Sequence, residues 1–164
     1  MENKLISTLE AWLNYLEKKN GSDLGDMTDA GKKRNAGYNN YTLYAKWYKE
    51  NTGENYQGQA YCAMAVSCAF VEAFWLSTAK KLLGGDLYYN CQMFYDRIKA
   101  KYPGRLHKTP RFMDVVLFDN GKKHNHTGVV VKVTSTGFVT IEANTSSGNG
   151  VVIPNGGATT RKSY

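Results

Sequence analysis

Helical periodicity occupies the first part of the chain and β-branched, extended segments occupy the last, which predicts an α+β domain with N-terminal helices packed on a C-terminal antiparallel β-sheet. The turn sequences Asp119-Asn120-Gly121 and Ser135-Thr136-Gly137 fall between the extended segments and suit tight reversals between antiparallel neighbours. The chain has 164 residues, 42% of them hydrophobic, enough for one core. No repeat and no Pro-rich or Ser-rich linker divides it, so residues 1–164 read as a single domain.

Within residues 5–16, Leu5, Leu9, Trp12, Leu13 and Leu16 recur at helical spacing ahead of Gly21 and predict an amphipathic first helix. A polar loop over 20–40 leads to a second, in which Tyr41, Tyr44, Ala45 and Tyr48 share one face and Gly53 marks the end. The apolar run 60–76, rich in alanine, predicts a third. Leu87, Cys91, Phe94, Tyr95 and Ile98 predict a fourth, terminated by Pro103 and Gly104. After Pro110 the period changes, and 115–118, 128–133 and 138–143 predict strands.

The formal charge is +7, from 21 Lys plus Arg against 14 Asp plus Glu, which suits an anionic partner. The basic clusters Lys32-Lys33-Arg34, Lys80-Lys81, Arg105 to Arg111 and Lys122-Lys123 are dispersed instead of gathered on one element, which argues against nucleic acid. The run 60–76 is about the shortest that spans a bilayer. Ser67 and Glu72 interrupt it and its alanines suit close packing, so it reads as a core helix of a soluble chain without membrane insertion. Glu2, Lys4, Glu10 and Glu17 leave no apolar segment for a secretory signal peptide. Three cysteines are too few, and odd in number, for a disulfide scaffold.

Cys62 stands at the start of the third predicted helix, where unpaired N–H groups and the helix dipole favour a thiolate. Cys68 and Cys91 fall among apolar neighbours and read as small core residues. Position alone leaves Cys62 open between a core thiol and a nucleophile. A base favours the second: His126 directly precedes Thr127-Gly128-Val129-Val130-Val131, at the mouth of a strand that can aim an imidazole at a helix N-terminus. Glu142 and Asn144, two residues apart on the next strand and so on one face, are both candidates for the group that orients the ring. His124, in the polar turn over 121–125, and His107, in a basic loop, read as exposed. Asp23, Asp26 and Asp29 recur every third residue but lack the remaining ligands of an EF-hand, and no spacing suits zinc. No metal and no cofactor is expected.

Three ordered segments carry a resemblance: Gln59-Ala60-Tyr61-Cys62-Ala63-Met64-Ala65-Val66-Ser67, His126-Thr127-Gly128-Val129-Val130-Val131 and Ile141-Glu142-Ala143-Asn144-Thr145. Together they resemble the CHAP family, the cysteine, histidine-dependent amidohydrolases/peptidases of phage-type peptidoglycan hydrolases (endolysins). Asn39-Asn40-Tyr41-Thr42 with Trp47-Tyr48 upstream, and Asn155-Gly156-Gly157 with Arg161 and Tyr164 downstream, are similar to its flanks. The resemblance implies a papain-like α+β fold in which Cys62 is the nucleophile, His126 the general base, Glu142 the residue orienting it and Asn144 a further polar residue of the site. Gln59 and Tyr61 would serve the oxyanion and substrate. Two departures stand out: the family's Gly-Asp ahead of the first core strand is here Met113-Asp114, which suggests a different turn. Its Glu-Gly-Asn is Glu142-Ala143-Asn144, which argues against strain there.

The resemblance further implies cleavage of a peptidoglycan amide through a thioester, either as an N-acetylmuramoyl-L-alanine amidase or as a stem or cross-bridge endopeptidase. The expected partner is bacterial peptidoglycan of a Gram-positive wall, whose anionic polymers suit the positive charge, and the expected enzyme is a monomer. The lack of a signal peptide suits holin-type release, phage tail delivery or specialised secretion to the wall. Two other readings remain at this point, a papain-like peptidase acting on protein and a basic binding module without catalysis.

Overall fold

The computed structural model describes residues 3–145 and 157–164, so Asn155 and Gly156 of the expected flank lie outside the described residues. Helix α1 (Lys4–Ala11) is capped by Asn3, whose side chain accepts from Ile6 N. It stops at Ala11, short of the Leu16 that the periodicity suggested. Asn14 takes a left-handed φ of 69°, and the backbone beyond it pairs with the end of the chain, Asn14 N donating to Thr159 O (2.8 Å) and Glu17 N to Gly157 O (2.9 Å). Those donors would be spent inside a longer helix.

The polar loop contains a short helix, α2 (Asp29–Lys33), which the sequence reading did not include. Thr28 caps its start, and the buried Lys18 ammonium closes its end by donating to Gly31 O (3.2 Å) and Lys32 O (2.8 Å). Helix α3 (Leu43–Thr52) lies between its cap Thr42 and Gly53 at φ 81°, with Tyr41 just outside it. Helix α4 (Cys62–Leu82) runs further than expected. Every residue from Cys62 to Phe70 is buried; beyond that the helix surfaces and is interrupted at Trp75 (φ 65°, ψ 159°), whose side chain is exposed. By length and composition α4 could cross a membrane, but its first half is core. Helix α5 (Cys91–Lys101) begins after the cap Asn90, so Leu87 precedes it.

Strands β1 (Val115–Asp119), β2 (His124–Val133), β3 (Phe138–Thr145) and β4 (Ala158–Ser163) form one antiparallel sheet in that order. The expected meander and the α+β class are present. Strand β2 starts early enough to include His124, which is therefore half-buried on a strand and stacked on Tyr95 (4.0 Å between centroids), not exposed in a turn. Strand β4 has a polar sequence, Ala-Thr-Thr-Arg-Lys-Ser, and buries threonines, so no apolar alternation announced it. Helix α4 is the centre of the fold, with α1, α3, β2 and β3 all packed on it.

Ahead of β1, Met113 occupies the position where the resemblance would place glycine. It adopts φ 72° regardless, and its N–H donates to Val130 O (2.9 Å). Met113 thus holds a conformation that favours glycine, at a backbone cost of about 1–2 kcal/mol for a residue with a Cβ. Met113→Val, which keeps apolar bulk but adds a β-branch, should destabilise the fold by about 1–2 kcal/mol more than Met113→Gly in urea denaturation. The opposite order would mean that the side chain, not the backbone conformation, governs this turn.

Candidate active site

Tyr61 precedes α4 without offering a side-chain cap, so the first N–H groups of the helix keep their capacity for an anion. Cys62 is the first helical residue and is buried, with its sulfur 4.0 Å from that of Cys91, the first residue of α5. The two helix starts are held together one turn further in. Ser67 Oγ donates to Tyr88 O (2.7 Å) and accepts from Tyr88 N (2.9 Å), which pins the segment entering α5 to the flank of α4. Tyr88 OH and Thr127 Oγ1 are 3.0 Å apart, which ties the same segment to β2 beside His126.

The sheet explains how His126 meets its partner. Gly128 is opposite Glu142 in the β2–β3 register, so His126 is the diagonal neighbour of Glu142 on alternating positions, while Val129 and Ile141 go to the core. The Glu142 stem crosses Gly128 to reach the ring: a Cβ at Gly128 would lie 2.6 Å from Glu142 Cγ and 2.9 Å from Ile141 O. His126 Nε2 donates to Glu142 Oε2 at 2.7 Å, and the ring also interacts with the Cys62 thiol. The other carboxylate oxygen, Oε1, accepts from Thr140 Oγ1 (2.6 Å) and Tyr164 OH (2.7 Å). Phe118 stacks on the imidazole (5.6 Å, 26°), and Tyr164 packs on Phe118 in turn.

Electrostatics sort these groups by protonation. The Cys62 thiol is held well below its ordinary range, first by its hydrogen bond with Cys91 and then, against burial, by His126 and the Ala63 N–H. Burial pulls His126 down, but the hydrogen bonds and charges of Cys62 and Glu142 outweigh it and hold the imidazole up at about 9. Glu142 is likewise pushed up by burial and brought below its ordinary value by donors from His126, Thr140 and Tyr164. These directions favour a thiolate, an imidazolium and a carboxylate as the neutral-pH state of the site. Residues 12–144, which carry this cysteine and histidine, match the family model of the CHAP domain. The chain belongs to the CHAP family. It is a cysteine, histidine-dependent hydrolase of the amidohydrolase or peptidase class. No curated protein and no solved structure matches it.

The CHAP match spans Cys62, His126, Glu142 and Asn144, and the structure brings the first three together. Asn144 does not follow the expected alternation, because the β3–β4 register shifts beyond Glu142 and Asn144 itself takes φ 58°. Its Oδ1 is buried, and among the described residues no hydrogen bond joins it to the other three. The strain argued to be absent at Ala143 sits one residue later. Gln59 is exposed in the loop before α4, its N–H bonded to Tyr56 O (3.2 Å). Tyr61 has its ring fully buried and stacked on Tyr44. His107 is exposed as expected, and Asp23 and Asp26 bracket Arg34 (2.7 and 3.7 Å). Among the described residues no three His, Cys, Asp or Glu side chains gather as a metal site.

Three contributors escaped the sequence reading. Thr140 could have been found, since it lies two residues before Glu142 on the same strand. Tyr164 was recognised only as part of a flank; it lies beyond the matched residues and reaches Glu142 because β4 returns beside β3. Cys91 was read as core filling and is buried, but against Cys62. Gly128→Ala should cost about 1–3 kcal/mol of stability by overpacking and should push the Glu142 stem off His126. Urea denaturation together with a lowered His126 pKa by NMR would show both; an unchanged His126 titration would mean that the carboxylate reaches the ring by another path.

Proposed function

We propose that this CHAP chain is a peptidoglycan hydrolase that cleaves an amide of the bacterial wall through a Cys62 thioester. The observation that carries the reading is the succession of Cys62, the partly exposed His126 and the buried Glu142. The Cys62 thiolate attacks the amide carbonyl, and the oxyanion is met by the Cys62 N–H at the uncapped start of α4, with the exposed Gln59 amide as a second donor from the preceding loop. The His126 imidazolium gives its proton to the leaving amine. The neutral ring then takes a proton from water, which attacks the thioester and frees the acyl product and the thiolate. Glu142 keeps one face of the ring engaged throughout and stabilises its charged form. Asn144 has no step in this sequence. The net charge of +7 draws the enzyme to walls that carry anionic polymers.

Digestion of purified Gram-positive peptidoglycan, read by new amino termini and muropeptide masses, tests the proposal and distinguishes amidase from endopeptidase. Wild type should cleave. Cys62→Ala and His126→Ala should each lose about 10⁴-fold or more in kcat/KM while melting cooperatively, and Glu142→Gln should lose less, about 10²-fold. Failure of the wild type on walls of several compositions would overturn the substrate assignment.

The pH profile should be bell-shaped. The acid limb reports protonation of the Cys62 thiolate, displaced below the ordinary thiol range; the alkaline limb, about 9, reports loss of the His126 proton needed by the leaving amine. A rate that keeps rising through pH 9 would mean that a neutral imidazole is the active form.

A further inference from the structure

Cys91 has no part in the reaction as described, yet its sulfur is 4.0 Å from the reacting sulfur and only 5% of the residue is exposed. The approach is built, not incidental. Each cysteine is the first residue of its helix, so two helix N-termini converge on the pair. The Ser67–Tyr88 hydrogen bonds fix the segment before α5 to α4, Tyr88 OH meets Thr127 of β2, and the Asn90 side chain accepts from Met93 N to cap α5. The elements that carry Cys62 and His126 thus also hold Cys91.

The other ionisable groups facing the pair are His126 from β2 with Glu142 behind it, Tyr88 ahead of α5 and Tyr61 ahead of α4. Burial keeps both phenols neutral. Two thiolates at this separation in a buried site repel strongly, so one proton stays with the pair when the other leaves. His126 and the Ala63 N–H stabilise the anion on Cys62, whereas Cys91 has only its own backbone N–H in that role and, among the described residues, no cationic neighbour. The retained proton therefore belongs to Cys91, which makes that thiol a donor.

On the reading of Cys62 as the nucleophile, we propose that Cys91 is a further catalytic residue, whose protonated thiol donates a hydrogen bond to the Cys62 thiolate and keeps the nucleophile ionised and aimed. The donor serves the resting anion. As the charge passes from sulfur to the oxyanion its hold weakens, so Cys91 raises the fraction of active enzyme at acidic pH and gives no advantage where Cys62 is already ionised.

The test is ultraviolet thiolate absorbance against pH, under reducing conditions, for wild type, Cys91→Ala, Cys91→Val and Cys91→Ser, each corrected by its Cys62→Ser counterpart. Loss of a hydrogen bond to a charged group should raise the Cys62 midpoint by about one pH unit or more in the Ala and Val variants. Cys91→Ser, which keeps a donor of similar size, should return most of the way to wild type. An unchanged midpoint in Ala and Val, or equal shifts in Ala, Val and Ser, overturns the proposal, because packing alone then accounts for the site. Circular dichroism identifies folded variants, and Val covers the case in which the Ala cavity is not tolerated. The titration needs no substrate: an ordinary thiol midpoint in wild type defeats the nucleophile reading along with this one, whereas the expected shifts without wall cleavage defeat only the substrate assignment.

Discussion

Glu142 is a carboxylate removed from water, 1% exposed, and the site is organised around keeping it charged there. A buried carboxylate costs several kcal/mol unless donors replace its hydration. Three do so from three directions: His126 on β2, Thr140 on β3 itself and Tyr164 after β4. Strand pairing delivers His126 and Tyr164, and the alternation of β3 itself delivers Thr140, so the antiparallel meander is the means by which a charge can be tolerated beside the imidazole. The glycine opposite Glu142 follows from the same requirement, because the stem must cross β2 to reach the ring.

The charge then propagates. A carboxylate behind His126 favours the imidazolium, the imidazolium favours the Cys62 thiolate, and the thiolate sits where α4 presents unclaimed N–H groups. None of these groups would hold its state alone: burial opposes the charged form of the thiol, the ring and the carboxylate alike. The packing of α4 on β2 and the Ser67–Tyr88–Thr127 stitch fix the distances on which this mutual support depends. Hydrolysis of an amide needs just this combination, a nucleophile ionised near neutral pH beside an acid for the poor amine leaving group.

Legibility in the sequence followed the range of the interactions involved. Cys62 and His126 were readable because each is announced by its immediate neighbours, an alanine-rich helix start and a β-branched strand. Glu142 was one of two candidates on the residues alone, and the bulge that turns Asn144 aside depends on pairing with β4, which is invisible in the strand's own period. The same long-range pairing shortened α1 by claiming the Asn14 and Glu17 donors, and the Tyr61 ring completes an aromatic stack with Tyr44 that no local pattern announces. Lys18 and α2 were missed for a related reason: a buried ammonium serves carbonyls a loop away, which no local pattern encodes.

The central claim is that His126 is an imidazolium at neutral pH because Glu142 and the Cys62 thiolate hold it so. NMR titration of the His126 ring, in wild type and in Glu142→Gln, tests it directly. The ring should keep both protons up to about 9 in wild type and lose one at lower pH in the variant. A wild-type ring that titrates near the ordinary 6.5, or one that is unmoved by the loss of the carboxylate charge, would contradict the account.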